Sequence, residues 1–276
     1  MTTLPAQPAL AAANTPAVIC VHSSASSARQ WAPLQESLGD AYRVFTPELL
    51  GYGAGAEWKY ERALSLDDEA RAIEPLMASE SGGVHLVGHS FGGAVALHVA
   101  LRNPGRVKSV VLYEPVLANL LQEDASVREA AMEFWSVRTA VRRAVYSGRP
   151  EHAAHSFVDY WSGLGTWGAL SEKRQRAVVQ RMRKVDAEFD AIFYNTTSLS
   201  AYRRITVPVL AMVGAATRRP PRAILDLLGT VLPDVHRREV AKAGHLGPLT
   251  HADEVNTEIR AFLDAQEARA PLARAA

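Results

Sequence analysis

Residues 84–97 read V-H-L-V-G-H-S-F-G-G-A-V-A-L, a stretch in which a strand pattern, a glycine-flanked serine and a helix pattern follow one another. Ser90 stands in the pattern Gly88-x-Ser90-x-Gly92, at a sharp strand-to-helix turn. Such a turn strains the serine backbone, and only small neighbours tolerate it. A glycine-rich turn with an incidental serine is one alternative; a phosphate-binding loop is another, but its Gly-Lys-Ser/Thr ending is absent. The stretch therefore predicts a reactive serine at a helix N-terminus, which favours developing negative charge.

Short apolar runs alternate with helical patterns along most of the chain. Most runs are apolar on both faces, as expected for strands of a parallel sheet covered by helices. The predicted strands are residues 17–22, 42–46, 84–88, 107–113, 208–213 and 235–240. The predicted core helices lie near residues 31–39, 66–80, 92–102, 221–230 and 252–266. This alternation predicts an α/β fold with a doubly wound, mostly parallel sheet of about six strands.

One long segment interrupts the alternation. Residues 118–205 contain no strand-like run but carry amphipathic helical segments and many aromatic side chains. We interpret them as a helical insertion between two strands of a core formed by residues 17–117 and 206–266. The alanine-rich residues 1–16 and 267–276 are predicted to be flexible termini.

Composition narrows the class of protein and its partners. The chain has 276 residues, 21% of them charged, and a formal net charge of +1, so nucleic acid and anionic membranes are not expected as partners. The single cysteine, Cys20, excludes an internal disulfide framework and a cysteine-rich metal site. The N-terminal stretch has no basic region followed by a long apolar segment, so a cytoplasmic location is predicted.

With these features the chain resembles the α/β-hydrolase superfamily over essentially residues 17–266, and is most similar to bacterial, cap-bearing members with a Gly-His-Ser-x-Gly-Gly elbow. The resemblance implies that Ser90 is a nucleophile, that residues 118–205 form a cap, and that no metal or cofactor is needed. A triad histidine follows the last strand in this superfamily. The motif A-K-A-G-H-L-G-P places His245 there, with a structural loop histidine as the alternative. Only sixteen residues precede the first strand, so the usual N-terminal hairpin should be reduced or absent.

The carboxylate that should orient the histidine is not in its usual place. The family usually supplies an aspartate after the strand that here ends in A-M-V-G, but Thr217 stands near that position. Glu114 ends the strand that follows the serine, and some members of the superfamily carry their acid there. Because the carboxyl ends of parallel strands open on one crevice, Glu114 can approach His245 from a neighbouring strand. We predict Glu114 as the acid, with Asp226 and Asp234 as the alternative acids. The alternative role of Glu114 is to cap the insertion or to pair with an arginine.

An oxyanion hole requires two backbone N–H groups aimed at the developing charge. The resemblance implies Phe91 as one donor. The second should come from the loop V-H-S-S-A-S-S, where the family normally has His-Gly and this chain has His22-Ser23. By position Ser24 is the second donor, with Ser23 as the alternative. His22 is expected to shape the loop.

Candidate substrate contacts come from the insertion and from one loop of the core. Trp135 and Trp161 are candidates for lining an apolar acyl or aryl site, and packing of the insertion onto the core is their alternative role. Arg218 follows the strand that ends at Gly214 and is a candidate for holding a substrate carboxylate, unless it is an ordinary surface charge.

The resemblance and the residues together predict a serine hydrolase that cleaves a carboxylic ester or related acyl bond of a small molecule through an acyl-enzyme. A lactonase and a carbon–carbon bond hydrolase are the enzymatic alternatives. A ligand-binding protein that retains the fold is the alternative from another class. Haloalkane dehalogenase and epoxide hydrolase activities are disfavoured, since those relatives carry aspartate where this chain has Ser90.

Overall fold

A parallel sheet of six strands runs through the structure, a computed structural model that describes residues 15–273. The strands are β1 Ala17–Val21, β2 Arg43–Phe45, β3 Val84–His89, β4 Val107–Tyr113, β5 Val209–Gly214 and β6 Val235–Val240. Their order is β2-β1-β3-β4-β5-β6, and every pairing within residues 15–273 is parallel. The fold class is thus confirmed, and the part of the chain described contains no N-terminal hairpin.

Helices cover both faces of the sheet. The core helices are α1 Ala32–Leu38, α2 Leu66–Ala78, α3 Phe91–Arg102, α9 Arg219–Val231, α10 Gly247–Thr250 and α11 Ala252–Ala273. The insertion contributes α4 Arg128–Tyr146, α5 Pro150–Ser162, α6 Thr166–Ala169, α7 Glu172–Val179 and α8 Met182–Phe193. None of the helices in the described part of the chain is both long and apolar enough to cross a bilayer.

The apolar run of β1 explains how the two helical layers form. Side chains alternate across a strand, so one run supplies both faces of the sheet. Ile19 and Val21 pack into the cluster that contains α2 and α3, whereas Val18 and Cys20 pack against α1 and α11. All four are fully buried. A continuous apolar strand is therefore what a sheet covered on both sides requires.

A capping box fixes the start of α2. The Ser65 hydroxyl accepts a hydrogen bond from the Asp68 N–H at 3.3 Å, and Asp68 Oδ2 accepts one from the Ser65 N–H at 3.0 Å. The box sets which residues of the first turns face inward. Glu69 is one of them and is completely buried.

The C-terminal end of the core is longer than predicted. Helix α11 continues to Ala273, so the flexible terminus predicted from residue 267 is helical over most of its length. Glu267 holds this last part against the sheet: its Oε1 accepts a hydrogen bond from His85 Nε2 at 2.9 Å and forms an ion pair with Lys108. These partners lie far away in sequence, so local composition could not reveal them. Residues 1–14 and 274–276 of the predicted termini lie outside the described residues.

We expect Glu267→Gln to destabilise the fold in a pH-dependent way. The hydrogen bond from His85, together with Lys108, lowers the pKa of Glu267 from 4.5 to about 2. The folded state thus binds fewer protons than the unfolded state between these values, so the stabilisation is present above about pH 4.5 and is lost as the pH falls towards 2. Because solvent screens this partly exposed pair, the loss at pH 7 should be only about 0.5–1 kcal/mol. Urea denaturation at pH 7, 5 and 3.5 measures it, and Glu258→Gln is the exposed control; a difference that stays constant with pH contradicts the assignment.

Candidate active site

The Gly88-x-Ser90-x-Gly92 turn joins β3 directly to α3. Ser90 has φ 56° and ψ −120°, a left-handed conformation that L-residues rarely adopt. A Cβ on Gly88 would lie 2.4 Å from the Gly92 carbonyl oxygen, and one on Gly92 would lie 2.3 Å from the Val21 carbonyl oxygen. The two glycines are therefore required because backbone from the turn itself and from β1 passes where a side chain would be.

We expect Gly92→Ala to destabilise the protein severely. The new methyl group would meet two backbone carbonyls, those of Val21 and His22, at 2.3 and 2.5 Å, and neither can move without displacing β1. A clash of this kind should cost about 3 kcal/mol or more. Gly82→Ala is the control, since its Cβ would meet no atom within 4 Å and its effect should stay within about 0.5 kcal/mol. Urea denaturation compares the two, and equal stabilities would contradict the steric explanation.

A continuous hydrogen-bonded chain joins Ser90, His245 and Glu114. His245 Nε2 lies 2.9 Å from Ser90 Oγ, and His245 Nδ1 lies 2.7 Å from Glu114 Oε2. Because a carboxylate can only accept, Nδ1 carries the proton and Nε2 is free to accept from the serine hydroxyl. Ser90 is 5% exposed, His245 4% and Glu114 0%, so water competes little with these hydrogen bonds. This arrangement can remove a proton from Ser90.

Glu114 reaches the histidine across the end of β5. Its backbone turns sharply at φ 46°, directly after β4. Oε1 accepts a hydrogen bond from the Gly214 N–H at 2.8 Å, and Oε2 accepts one from the Thr217 hydroxyl at 2.6 Å as well as the one from His245. The position where the family usually carries its aspartate thus holds a hydroxyl that donates to the glutamate.

The two alternative acids lie elsewhere. Asp226 pairs with Arg237, and Asp234 is 3.1 Å from His236; both carboxylates are about half exposed. Neither forms a hydrogen bond with His245 among the described residues.

Two buried side chains hold the loop that carries His245. The Tyr113 hydroxyl donates to the Gly244 carbonyl at 2.8 Å, and His89 Nε2 donates to the His245 carbonyl at 2.8 Å. Burial lowers the pKa of His89 well below its ordinary value, so this ring stays neutral beside His245. Sequence reasoning missed both residues, although each directly adjoins a predicted site residue.

The loop after β1 places Ser24 in the same pocket lining as Ser90. The Ser23 N–H and hydroxyl both donate to Gln30 Oε1, at 3.2 and 2.9 Å, so this N–H is already used. In contrast, the N–H groups of Ser24 and Phe91 donate to no acceptor within the part of the chain described. His22 orders the loop, because its Nδ1–H donates to the Ser23 carbonyl at 2.8 Å and its Nε2 accepts from the Leu49 N–H at 3.2 Å.

A small pocket of about 20 Å³ lies between the insertion and Ser90. It is lined by Ser24, Ser90, Phe91, Val116, Phe134, Phe157, Trp161, Val185, Glu188, Phe189 and Ile192. The Trp161 ring also stacks on His245, with ring centroids 3.9 Å apart. Helices α4, α5 and α8 therefore form the roof of the serine site.

Comparison with known proteins places the chain in a family. A model of the alpha/beta hydrolase family matches residues 18–258. The chain belongs to the alpha/beta hydrolase family. The hydrolase is 24% identical over 261 residues to a pimeloyl-(acyl-carrier protein) methyl ester esterase of Aliivibrio salmonicida, covering 91% of this chain and 93% of that protein. It is 28% identical over 259 residues to the protein of the same name from Serratia marcescens, covering 90% and 94%.

The fold likeness extends to solved structures. A thermophilic esterase from Thermogutta terrifontis superimposes with a TM-score of 0.71 at 20% identity, covering 91% of this hydrolase and 90% of that chain. Membership of the family and the relatives named as esterases make this chain an enzyme of the hydrolase kind. The alternative of a non-enzymatic binding protein is thereby set aside.

Of the three predicted substrate contacts, the structure brings only Trp161 to the pocket of the hydrolase. Trp135 is 47% exposed and lines a second groove, which is bordered by α4, residues 118–122 and Phe193. Successive helical residues are rotated by about 100°, so the inward position belongs to its neighbour Phe134. The inward face of α4 carries Ala130, Phe134, Val137 and Val141, which are all buried. Their helical spacing in the sequence was the signal that could have identified this face.

Arg218 is also directed away from the pocket. Its Nε–H donates to the Tyr160 carbonyl, and its guanidinium lies 4.2 Å from the centre of the Tyr160 ring. Nη1 is 3.7 Å from Glu133. The arginine is thus occupied by α4 and α5 of the insertion, and the prediction that it holds a substrate carboxylate is not supported by its contacts.

Proposed function

We propose that this hydrolase cleaves carboxylic esters or closely related acyl bonds, with Ser90 as nucleophile, His245 as base and Glu114 as the acid that orients it. The observation that carries the proposal is the unbroken hydrogen-bonded chain from Ser90 Oγ through His245 to Glu114. A nucleophile, a base and a group that orients the base are the three parts that acyl transfer by a serine requires. The relatives named as methyl ester esterases support the same class of bond.

In the acylation step, Ser90 Oγ attacks the substrate carbonyl carbon while His245 Nε2 takes the hydroxyl proton. The carbonyl oxygen becomes an oxyanion, for which the N–H groups of Ser24 and Phe91 are the available donors. Glu114 keeps the proton on Nδ1 and stabilises the imidazolium that forms. His245 then gives its proton to the leaving alcohol, which leaves Ser90 as an acyl ester.

Deacylation repeats these events with water. His245 takes a proton from water as the oxygen attacks the acyl carbon, and returns it to Ser90 Oγ when the ester bond breaks. The products are a carboxylic acid, an alcohol and the free enzyme. A lactone is an internal ester, so the same steps would open its ring.

We further propose that the insertion, residues 118–205, is a cap on the core formed by residues 17–117 and 206–266. Its helices α4, α5 and α8 supply most of the pocket lining, and a covered site excludes water and strengthens electrostatic interactions within it. A pocket of about 20 Å³ has room for only one or two water-sized groups, so entry of a longer acyl chain requires the lining side chains to move apart.

A fluorophosphonate probe tests the proposal directly, because it forms a covalent bond only with an activated serine. We expect the wild-type enzyme to be labelled, with the adduct mapped to Ser90 by peptide mass spectrometry. Labelling should also require His245, so His245→Ala should lose it. Absence of labelling together with absence of hydrolysis of p-nitrophenyl acetate and butanoate would overturn the proposed function.

A further inference from the structure

Glu188 places a carboxyl group at the wall of a pocket whose lining is otherwise mostly apolar. It belongs to helix α8 and lines the same pocket as Ser90, together with four aromatic side chains of the insertion. Its side chain is 2% exposed. A buried carboxylate is costly unless its oxygens are paired, so the partners of Glu188 decide what it does there.

One ammonium group lies between two buried carboxylates. Lys184 Nζ donates to Glu69 Oε1 at 2.8 Å and to Glu188 Oε1 at 2.9 Å. Burial acts to lower the pKa of Lys184, but the two adjacent carboxylates outweigh it and raise the pKa, so the ammonium stays charged. A single carboxylate would neutralise it. With both carboxylates ionised, the second leaves the cluster with an excess of negative charge beside the pocket; burial raises the pKa of Glu69, while Lys184 and the hydrogen bond from the Leu50 N–H act against that rise.

The two carboxylates differ in how their second oxygens are paired. Glu69 Oε2 accepts a hydrogen bond from the Leu50 N–H at 3.0 Å, so both of its oxygens have partners. Glu188 Oε2 is fully buried and accepts no hydrogen bond from any described residue. The Tyr52 hydroxyl is the competing donor: it accepts from the Ala25 N–H at 3.0 Å, and burial together with the charge and the approach of Glu188 raises the pKa of this phenol, so a substrate donor at Glu188 must displace or share this contact.

The pocket corresponds to the acyl side of the proposed reaction. Ser24 and Phe91, the available oxyanion donors, line it, whereas His245, which must protonate the leaving alcohol, does not. A substrate group that reaches Glu188 therefore belongs to the acyl part of the substrate.

We propose that Glu188 determines acyl specificity by accepting a hydrogen bond from a hydroxyl or ammonium group on the acyl chain, and that it disfavours acyl chains with a free carboxylate. This inference rests on the proposed function and names its substrate class: short hydroxyacyl or aminoacyl esters. A site built to pair a substrate donor discriminates strongly against an analogue without it, because the buried acceptor is then left unpaired.

Four p-nitrophenyl esters test the preference in the wild-type enzyme: 3-hydroxybutanoate, 3-aminobutanoate, 3-methylbutanoate and monosuccinate. The 3-methylbutanoate ester has nearly the shape of the first two but no donor, and the fourth carries a carboxylate. We expect kcat/KM for the hydroxyl or ammonium substrate to exceed that for 3-methylbutanoate by about tenfold or more, with monosuccinate the poorest. Ser90→Ala supplies the background rate of each ester.

Glu188→Gln should alter this order. The amide oxygen is expected to stay with Lys184, which can only donate, so the amide NH₂ replaces Oε2 in the pocket. The preference for 3-aminobutanoate over 3-methylbutanoate should then fall by about tenfold or more, and monosuccinate should improve. The preference for 3-hydroxybutanoate should fall less, since a hydroxyl can also accept. This contrast separates the two kinds of donor.

Two control variants accompany it. Glu172→Gln makes the same change on an exposed helix of the insertion and should leave all ratios unchanged. Glu69→Gln perturbs the same ammonium from the core side: it should lower thermal stability and, by removing the excess negative charge, improve monosuccinate, while the preference for 3-hydroxybutanoate over 3-methylbutanoate stays unchanged. If Glu188→Gln does not fold, the wild-type ratios still decide.

Equal wild-type kcat/KM for the hydroxyl, ammonium and methyl substrates would overturn the inference, as would ratios unchanged in folded Glu188→Gln. In both cases Ser90-dependent hydrolysis would persist, so the proposed function would stand. Loss of labelling and of all Ser90-dependent hydrolysis in the wild type would instead overturn the proposed function, and the inference with it.

Discussion

Ser90→Ala should lower kcat for p-nitrophenyl butanoate by about a millionfold, to the background set by the remaining donors. Without Oγ no acyl-enzyme can form, and His245 Nε2 loses the hydroxyl 2.9 Å away that it would deprotonate. The backbone of the turn should persist, because alanine has the same Cβ as serine and the strained φ of 56° is imposed by the surrounding chain. Steady-state assays with purified protein measure the loss of kcat, and fluorophosphonate labelling measures the loss of the reactive serine.

Ser171→Ala is the matched control for this variant. Ser171 is exposed on the insertion, and its side chain makes no capping hydrogen bond. Its activity should equal that of the wild type. Substantial ester hydrolysis by Ser90→Ala, at a tenth of the wild-type rate for instance, would exclude the acyl-enzyme route.

Glu114→Gln should lower kcat by up to about ten-thousandfold with little change in KM. Three groups donate to this carboxylate: the Gly214 N–H, the Thr217 hydroxyl and His245 Nδ1. A glutamine offers only one accepting atom, so its NH₂ must face at least one of these donors. When it faces His245, the proton moves to Nε2, and the imidazole can no longer accept the proton of Ser90.

Asp226→Asn tests the competing assignment. This carboxylate is exposed and paired with Arg237, so its loss should leave kcat unchanged. Steady-state kinetics on both variants, with circular dichroism to confirm folding, gives the comparison. Activity of Glu114→Gln within about threefold of the wild type would show that another group orients His245.

The elements that sequence predicted well are those whose signal is local. The strand, turn and helix around Ser90 are encoded within fourteen consecutive residues, and all six strands appear within a residue or two of their predicted bounds. Glu114 was identified because the usual position holds Thr217 and because parallel strands share one crevice. The hydrogen bonds that bring these residues together could be expected from topology, but their lengths and partners could not.

The misplaced and missed residues depend on contacts between distant parts of the chain. Trp135 was predicted as one of the aromatic residues of the insertion, whereas the position of a residue on its helix decides which aromatic side chain faces the pocket. Glu188 belongs to a helix whose many charges resemble a solvated surface. Its burial depends on Lys184, which also pairs with Glu69, a residue 115 positions earlier in the chain. Composition alone cannot distinguish a buried charge cluster from an exposed one.

The location of Glu114 directly after β4 has a consequence for how this enzyme can change over evolutionary time. In the usual arrangement the segment after β5 must preserve a catalytic carboxylate, which restricts its length and sequence. In the proposed triad that segment contributes the Gly214 N–H and the Thr217 hydroxyl, which both donate to Glu114, while the adjoining Arg218 binds Tyr160 of the roof. If Glu114 is the acid, as proposed, substitutions from residue 218 onward can change how the roof packs on the core without removing a member of the triad.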